Sequence, residues 1–197
     1  MFTIDYQNRL ITLKIVYYGP GLCGKTANIM YIHDNTSAKV KGKLVKLETE
    51  AERTLFFDFM PLSLGEIKGF RTKLQLYTTP GQIYYHSSRK MILRHVSGVV
   101  FVADSQPERM DANEASFDDL VENLKEHHLD INTIPLVYQW NKRDIPHATP
   151  VEELSRKLNR LGRPEFLASA VNGHGVFDTL KAISRIVLQD VTKGRGP

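Results

Sequence analysis

The run Gly19-Pro20-Gly21-Leu22-Cys23-Gly24-Lys25-Thr26 has the spacing G-x-x-x-x-G-K-[ST], a phosphate-binding loop. Its glycines let the chain fold so that successive backbone N–H groups, from Gly19, Gly21, Leu22, Cys23 and Gly24 through to Ala27, converge on phosphate oxygens. A helix that starts here adds partial positive charge at its first turn. Lys25 brings a full charge to the β- and γ-phosphates, and Thr26 offers a hydroxyl to Mg²⁺. A second run, Asn141-Lys142-Arg143-Asp144, suits a purine ring. A carboxylate such as Asp144 accepts two hydrogen bonds from the ring N–H and exocyclic amine of guanine. Adenine lacks that donor pair, and a site built on such bonds discriminates by about 10⁴-fold.

These residues need elements to hold them. Leu10 to Tyr18 reads as a buried strand and Ala27 to His33 as the first turns of a helix, the context a phosphate loop requires. Thr54–Met60 and Thr72–Thr78 read as an antiparallel hairpin around a turn containing Ser63, Gly65 and Gly69. Gly98 to Ala103 is a continuous apolar run, as in a central strand covered on both faces. Ile134 to Trp140 is another, and it delivers Asn141–Asp144 at its end. Helices are expected over 84–94, 111–128, 151–161 and 176–191, with a short strand at 165–168. Strands alternating with helices imply a mostly parallel, doubly wound sheet whose ligand lies beyond the carboxyl ends of its strands.

The chain has 197 residues, 42% of them hydrophobic and 24% charged. It reads as one domain over residues 1–192 with a short tail, 193–197. A net charge of +4 suits an anionic ligand but is too diffuse to argue for nucleic acid. Two basic stretches, Lys39/Lys41/Lys43/Lys46 and Arg89/Lys90/Arg94, read as solvated faces that allow at most peripheral contact with a membrane. With Cys23 as the one cysteine, no internal disulfide forms, which fits the cytoplasm. No apolar run is long enough to span a bilayer, and neither end carries a leader or lipidation signal.

The order phosphate loop, Pro80-Gly81-Gln82, Asn141-Lys142-Arg143-Asp144 and Ser169-Ala170 resembles that of the Ras-like small GTPases along nearly the whole chain. Thr78-Thr79-Pro80-Gly81-Gln82 and Gln139-Trp140 before Asn141 narrow the resemblance to the bacterial MglA-type branch, regulators of cell polarity and gliding motility. The resemblance implies a P-loop NTPase fold with a six-stranded, mostly parallel sheet and helices on both faces. It implies GTP and GDP as ligands, Mg²⁺ as cofactor and slow hydrolysis to GDP. It also implies an activating partner of the MglB-type Roadblock class, cytoskeletal or polar effectors, and enrichment at a cell pole.

The same resemblance assigns roles to individual residues. Gly81 gives its N–H to the γ-phosphate, and Gln82 orients the attacking water. Thr54 is the switch threonine that meets Mg²⁺, with Thr36 the alternative by spacing. Ser169 and Ala170 support the base, although Val171 stands where the family has lysine. Thr78 stands where the family has an aspartate near Mg²⁺, and a hydroxyl is a poorer partner for a hard dication. Asp58 is the candidate to compensate, the alternative being a solvated strand residue. Arg53 either reaches the transferring phosphate in cis or is a solvated loop arginine. Asp104-Ser105 reads as a structural cap. Two further readings stay open: a GTP-binding scaffold with negligible hydrolysis, for which Thr78 speaks, and a phosphotransferase, against which Asn141–Asp144 speaks.

Overall fold

A computed structural model describes residues 2–46, 58–81 and 86–193. Strands and helices alternate: β1 (Thr3–Asp5), β2 (Leu10–Tyr18), α1 (Lys25–Asp34), β3 (Val45–Lys46), β4 (Asp58–Ile67), β5 (Phe70–Thr78), α2 (His86–Leu93), β6 (Gly98–Asp104), α3 (Met110–Glu126), β7 (Leu136–Asn141), α4 (Val151–Leu158), β8 (Glu165–Leu167) and α5 (Val176–Thr192). A 3₁₀ turn, Pro107–Arg109, leads into α3. The sheet order is β3-β4-β5-β2-β6-β7-β8, with β1 against β2. Pairs β2–β5, β2–β6, β6–β7 and β7–β8 are parallel, whereas β1–β2, β3–β4 and β4–β5 are antiparallel.

The α/β class, with a mostly parallel central sheet, agrees with the sequence reading. The strand number does not: eight strands stand among the described residues, not six. The extra two are short. β1 fills the flank of β2 below the stretch that β6 occupies, and β3 lies on the outer edge of β4. The expected turn at 63–69 is also shorter, because β4 runs on to Ile67 through an irregularity between Ser63 and Glu66.

Period-two alternation along the strands builds two cores. Leu13, Ile15 and Tyr17 join Val100, Val102, Ile29 and Ile32 of α1, and Ile183 and Val187 of α5. Val16 and Tyr18 face the other way, onto Ile92 and Leu93 of α2, Leu120 and Leu124 of α3, and Leu154 and Leu158 of α4. Helices therefore cover both faces, and β6, whose seven residues are all buried, runs between them. No helix among the described residues is long and apolar enough to cross a membrane.

One residue of the basic stretches departs from its expected solvated role, while Lys90 and Arg94 beside it are exposed as expected. Arg89 is buried, with Nε 2.8 Å from Asp119 Oδ2 and Nη2 donating to Asp119 Oδ1 at 3.1 Å. The Tyr18 hydroxyl donates to the same carboxylate and accepts from Asn123 Nδ2 at 3.2 Å. Burial, and then the Asp119 carboxylate, push the Tyr18 hydroxyl well above its usual range. This network pins α2 to α3 beside the last residue of β2. Asp119→Ala strands the Arg89 charge, so it should destabilise the fold by about 3 kcal/mol in urea unfolding. The exposed Lys90–Glu126 pair, 2.6 Å apart on the same two helices, should cost under about 1 kcal/mol when Glu126 is replaced by alanine.

Candidate functional site

β2 ends at Tyr18, and the loop 19–24 turns back over the carboxyl end of the sheet before α1 begins. The turn depends on glycine. Gly19 has φ +148°, and a Cβ there would lie 2.2 Å from the Val102 carbonyl oxygen. Gly24 has φ +100°, and its Cβ would lie 2.2 Å from Asn141 Nδ2. Leu22 holds a left-handed φ of 64° without being glycine, and its side chain is 88% exposed. Such a backbone costs roughly 1 kcal/mol and persists only where the surroundings hold it.

The first turn of α1 carries no acidic residue, and Gly24 supplies no side-chain cap. With no carboxylate there, the partial positive charge of the helix start is available to an anion. Lys25 is buried under the loop, where Nζ donates to the carbonyls of Gly19 at 2.8 Å and Pro20 at 2.7 Å. The next residue, Thr26, is exposed at the mouth, beside half-buried Ala27.

The Asn141–Asp144 run lies directly beside this loop. Asn141, buried at the end of β7, donates through Nδ2 to the Cys23 carbonyl at 2.7 Å and accepts through Oδ1 from the Ala170 N–H at 2.9 Å. One amide therefore ties the phosphate loop to the Ser169-Ala170 loop. Ser169 is buried and its N–H donates to the His174 carbonyl at 3.0 Å. Lys142, with φ 66°, lies 2.6 Å from buried Asp104 Oδ2, and Asp144 is exposed at the loop surface. Val171 is 80% exposed, so the lysine of the related pattern is replaced by an apolar side chain open to solvent.

Gly81, beyond β5, comes up against the loop tip: a Cβ on it would lie 2.4 Å from both N and Cα of Gly21. Thr78 is buried at the end of β5. Asp58 follows the expected strand pairing, one step beyond Phe59, which is opposite Tyr77; its side chain lies outside the described residues, as do Arg53, Thr54 and Gln82. Thr36 is not at the site. Its hydroxyl donates to the Ile32 carbonyl at 2.6 Å at the far end of α1, about 15 Å along the helix from Lys25. The structure thus brings Gly19, Gly21, Leu22, Cys23, Gly24, Lys25, Thr26, Ala27, Gly81, Asn141, Lys142, Ser169 and Ala170 to one end of the sheet.

No group of three or more His, Cys, Asp or Glu residues able to hold a metal stands among the described residues. The donor set fits Mg²⁺ in a different way. A hydroxyl at the mouth of a phosphate loop serves an ion that keeps waters and takes its other ligands from phosphates. Sequence reasoning missed Arg109, whose Nη2 donates to the Gly21 carbonyl at 2.7 Å; no motif spacing signals it.

Cys23 is fully buried, and burial pushes its thiol above the usual range against the opposing pull of Lys25. At pH 8 the native protein should therefore take up maleimide slowly, and the unfolded chain should take up one equivalent by mass spectrometry.

A glycine-rich loop on the first long strand of an α/β sheet, bridged by an asparagine of β7, two strands away, to the loop that follows β8, is the arrangement of a nucleotide-binding G domain. Residues 14–189 match the Gtr1/RagA G protein conserved region, and the chain belongs to the small GTPase family. It is 58% identical over 194 residues to the Mutual gliding-motility protein MglA of Myxococcus xanthus (strain DK1622), across 98% of this chain and 100% of that one. It is also 26% identical over 189 residues to the Ras-related protein Rab-18 of Caenorhabditis briggsae, across 94% of this chain and 85% of that one. For Rab-18 of Caenorhabditis elegans the identity is 25% over the same length, across 94% and 84%.

Proposed function

We propose that this chain, as one G domain over residues 1–192, is a GTP-hydrolysing switch that regulates cell polarity and gliding motility. The observation that carries the reading is the Asn141 bridge, which joins a phosphate cradle to a base-reading loop at fixed distance. Loop N–H groups, Lys25 and the start of α1 hold the phosphates. Asp144, Lys142, Ser169 and Ala170 take the guanine. Mg²⁺, when bound, neutralises charge on the phosphate oxygens, with Thr26, Thr54 and Asp58 as its candidate protein partners. Gln82 orients the attacking water, Arg53 reaches the transferring phosphate in cis, and Gly81 donates to the γ-phosphate. Positioning and charge stabilisation do the work, so turnover without a partner is slow.

The 58% identity to a gliding-motility protein along the full chain supports the biological role. On that reading the protein is cytoplasmic and enriched at a pole. A Roadblock protein of the MglB type activates it, and cytoskeletal or polar effectors read its state. Loss of the γ-phosphate releases the switch segments and changes effector affinity. Thr78, buried where the family has a carboxylate, favours a second reading, a GTP-binding scaffold with negligible hydrolysis.

Displacement of a fluorescent GDP by GTP but not by ATP, with Mg²⁺ present, supports the guanine switch; equal displacement by ATP overturns it. Single-turnover GTP hydrolysis with and without the Roadblock partner separates the two readings. No turnover in either case leaves the scaffold.

A further inference from the structure

Asp104 closes β6 and does more than cap the chain that follows. Its Oδ1 accepts the Gln106 N–H at 3.0 Å, and its Oδ2 lies 2.6 Å from Lys142 Nζ. Its backbone is held from both sides by Asn113, which accepts the Asp104 N–H through Oδ1 and donates to the Asp104 carbonyl through Nδ2, each at 2.9 Å. A buried carboxylate fixed in this way is a rigid anionic platform. Arg109, at the end of the 3₁₀ turn, stands between that platform and the phosphate loop. Its Nε is 3.9 Å from Asp104 Oδ2, while its Nη2 donates to the Gly21 carbonyl at 2.7 Å.

We propose that Arg109 is a positioning residue of the phosphate loop: by holding the Gly21 carbonyl it aims the Leu22 N–H into the cradle. The carbonyl of Gly21 and the N–H of Leu22 belong to one planar trans peptide, so they point in opposite directions. A guanidinium that fixes the first therefore sets the second. The bond also restrains Leu22 in its left-handed backbone, a conformation a leucine leaves readily when unsupported. The charged donor polarises the peptide and strengthens the opposite N–H as a donor to phosphate. On its other side the same residue, Gly21, is packed against Gly81, so Arg109 fixes the tip that the end of β5 meets.

The inference rests on the reading that the loop holds a guanine nucleotide, and the test separates the two. Release of mant-GDP in excess unlabelled GDP is followed for wild type, Arg109→Met and Arg109→Lys, with GDP and IDP affinities measured in parallel. Methionine keeps the packing of the stem and removes the donor, so release should quicken about tenfold. Lysine keeps one charged donor, and release should stay within about threefold of wild type. The ratio of GDP to IDP affinity should not change, because the exocyclic amine that distinguishes them is read at the base end. Methionine releasing GDP at the wild-type rate overturns the proposal, as does lysine performing no better than methionine. A GDP to IDP ratio that moves as far as the release rate overturns it too, since the effect would then lie at the base. Wild-type protein that does not retain mant-GDP overturns the guanine reading itself and this inference with it.

Discussion

Lys25→Ala should lower GDP and GTP affinity by about a thousandfold in a fluorescence titration, since it removes about 4 kcal/mol of charge-assisted bonding. Lys25 is the cation the structure buries inside the phosphate loop, where it lies under the carbonyls of Gly19 and Pro20. Holding the charge there costs desolvation, and the two carbonyls offset part of it. Phosphate oxygens at the mouth offer the ammonium far better partners, so much of the binding energy waits on their arrival. Alanine leaves those anions without the ammonium buried in the loop. Lys25→Arg should not rescue binding, because a planar fork does not fit a cradle closed around a compact ammonium. Affinity within tenfold of wild type for Lys25→Ala would show that the loop is not the phosphate site.

Asn141→Ala should weaken GDP binding by about a hundredfold and lower the melting temperature of the nucleotide-free protein. The side chain is buried, and its loss leaves the Cys23 carbonyl and the Ala170 N–H without this partner, at about 1–3 kcal/mol for each group. Part of that cost falls on the fold and part on the ligand, because the two loops lose the amide that fixes them relative to each other. Asn141→Asp is the informative companion. It keeps the acceptor for Ala170 but has no donor for Cys23, so it should destabilise the phosphate loop more than the base loop. Calorimetry with GDP and with GMP separates the two: the loss on going from wild type to aspartate should be larger for GDP.

Much of this arrangement was legible in the residues. The strand Leu10–Tyr18 is observed with the bounds its apolar pattern implied, and the helix after the phosphate loop, the buried β6 run and the long helices α3 and α5 lie within a few residues of expectation. These elements bury wide apolar faces, so the pattern leaves a strong trace. β1 and β3, at three and two residues, are too short to show a period and exist through pairing with β2 and β4. Gly65, with φ +85°, reads as a turn, yet the irregular register there absorbs it and the strand continues. α4 ends at Leu158 rather than Leu161, because Asn159 turns its side chain onto Arg163, a contact with no periodic signature. Arg89 reads as a solvated charge, because a buried ion pair depends on a partner 30 residues away. At the proposed site, the motifs named loops that the fold brings together at one end of the sheet, while Arg109 is tied to Gly21 across 88 residues and only folding brings them together.

The lack of a side chain at residue 24 has a bearing on ancestry. A methyl group there would strike the Asn141 amide, and the φ of +100° strains any side chain whatever the room around it, so this codon is not free to wander while the turn keeps its shape. Descendants of this chain should keep glycine at 24 even where the amide at 141 has been shortened or lost, and a lineage with a side chain at 24 should have rebuilt the whole turn.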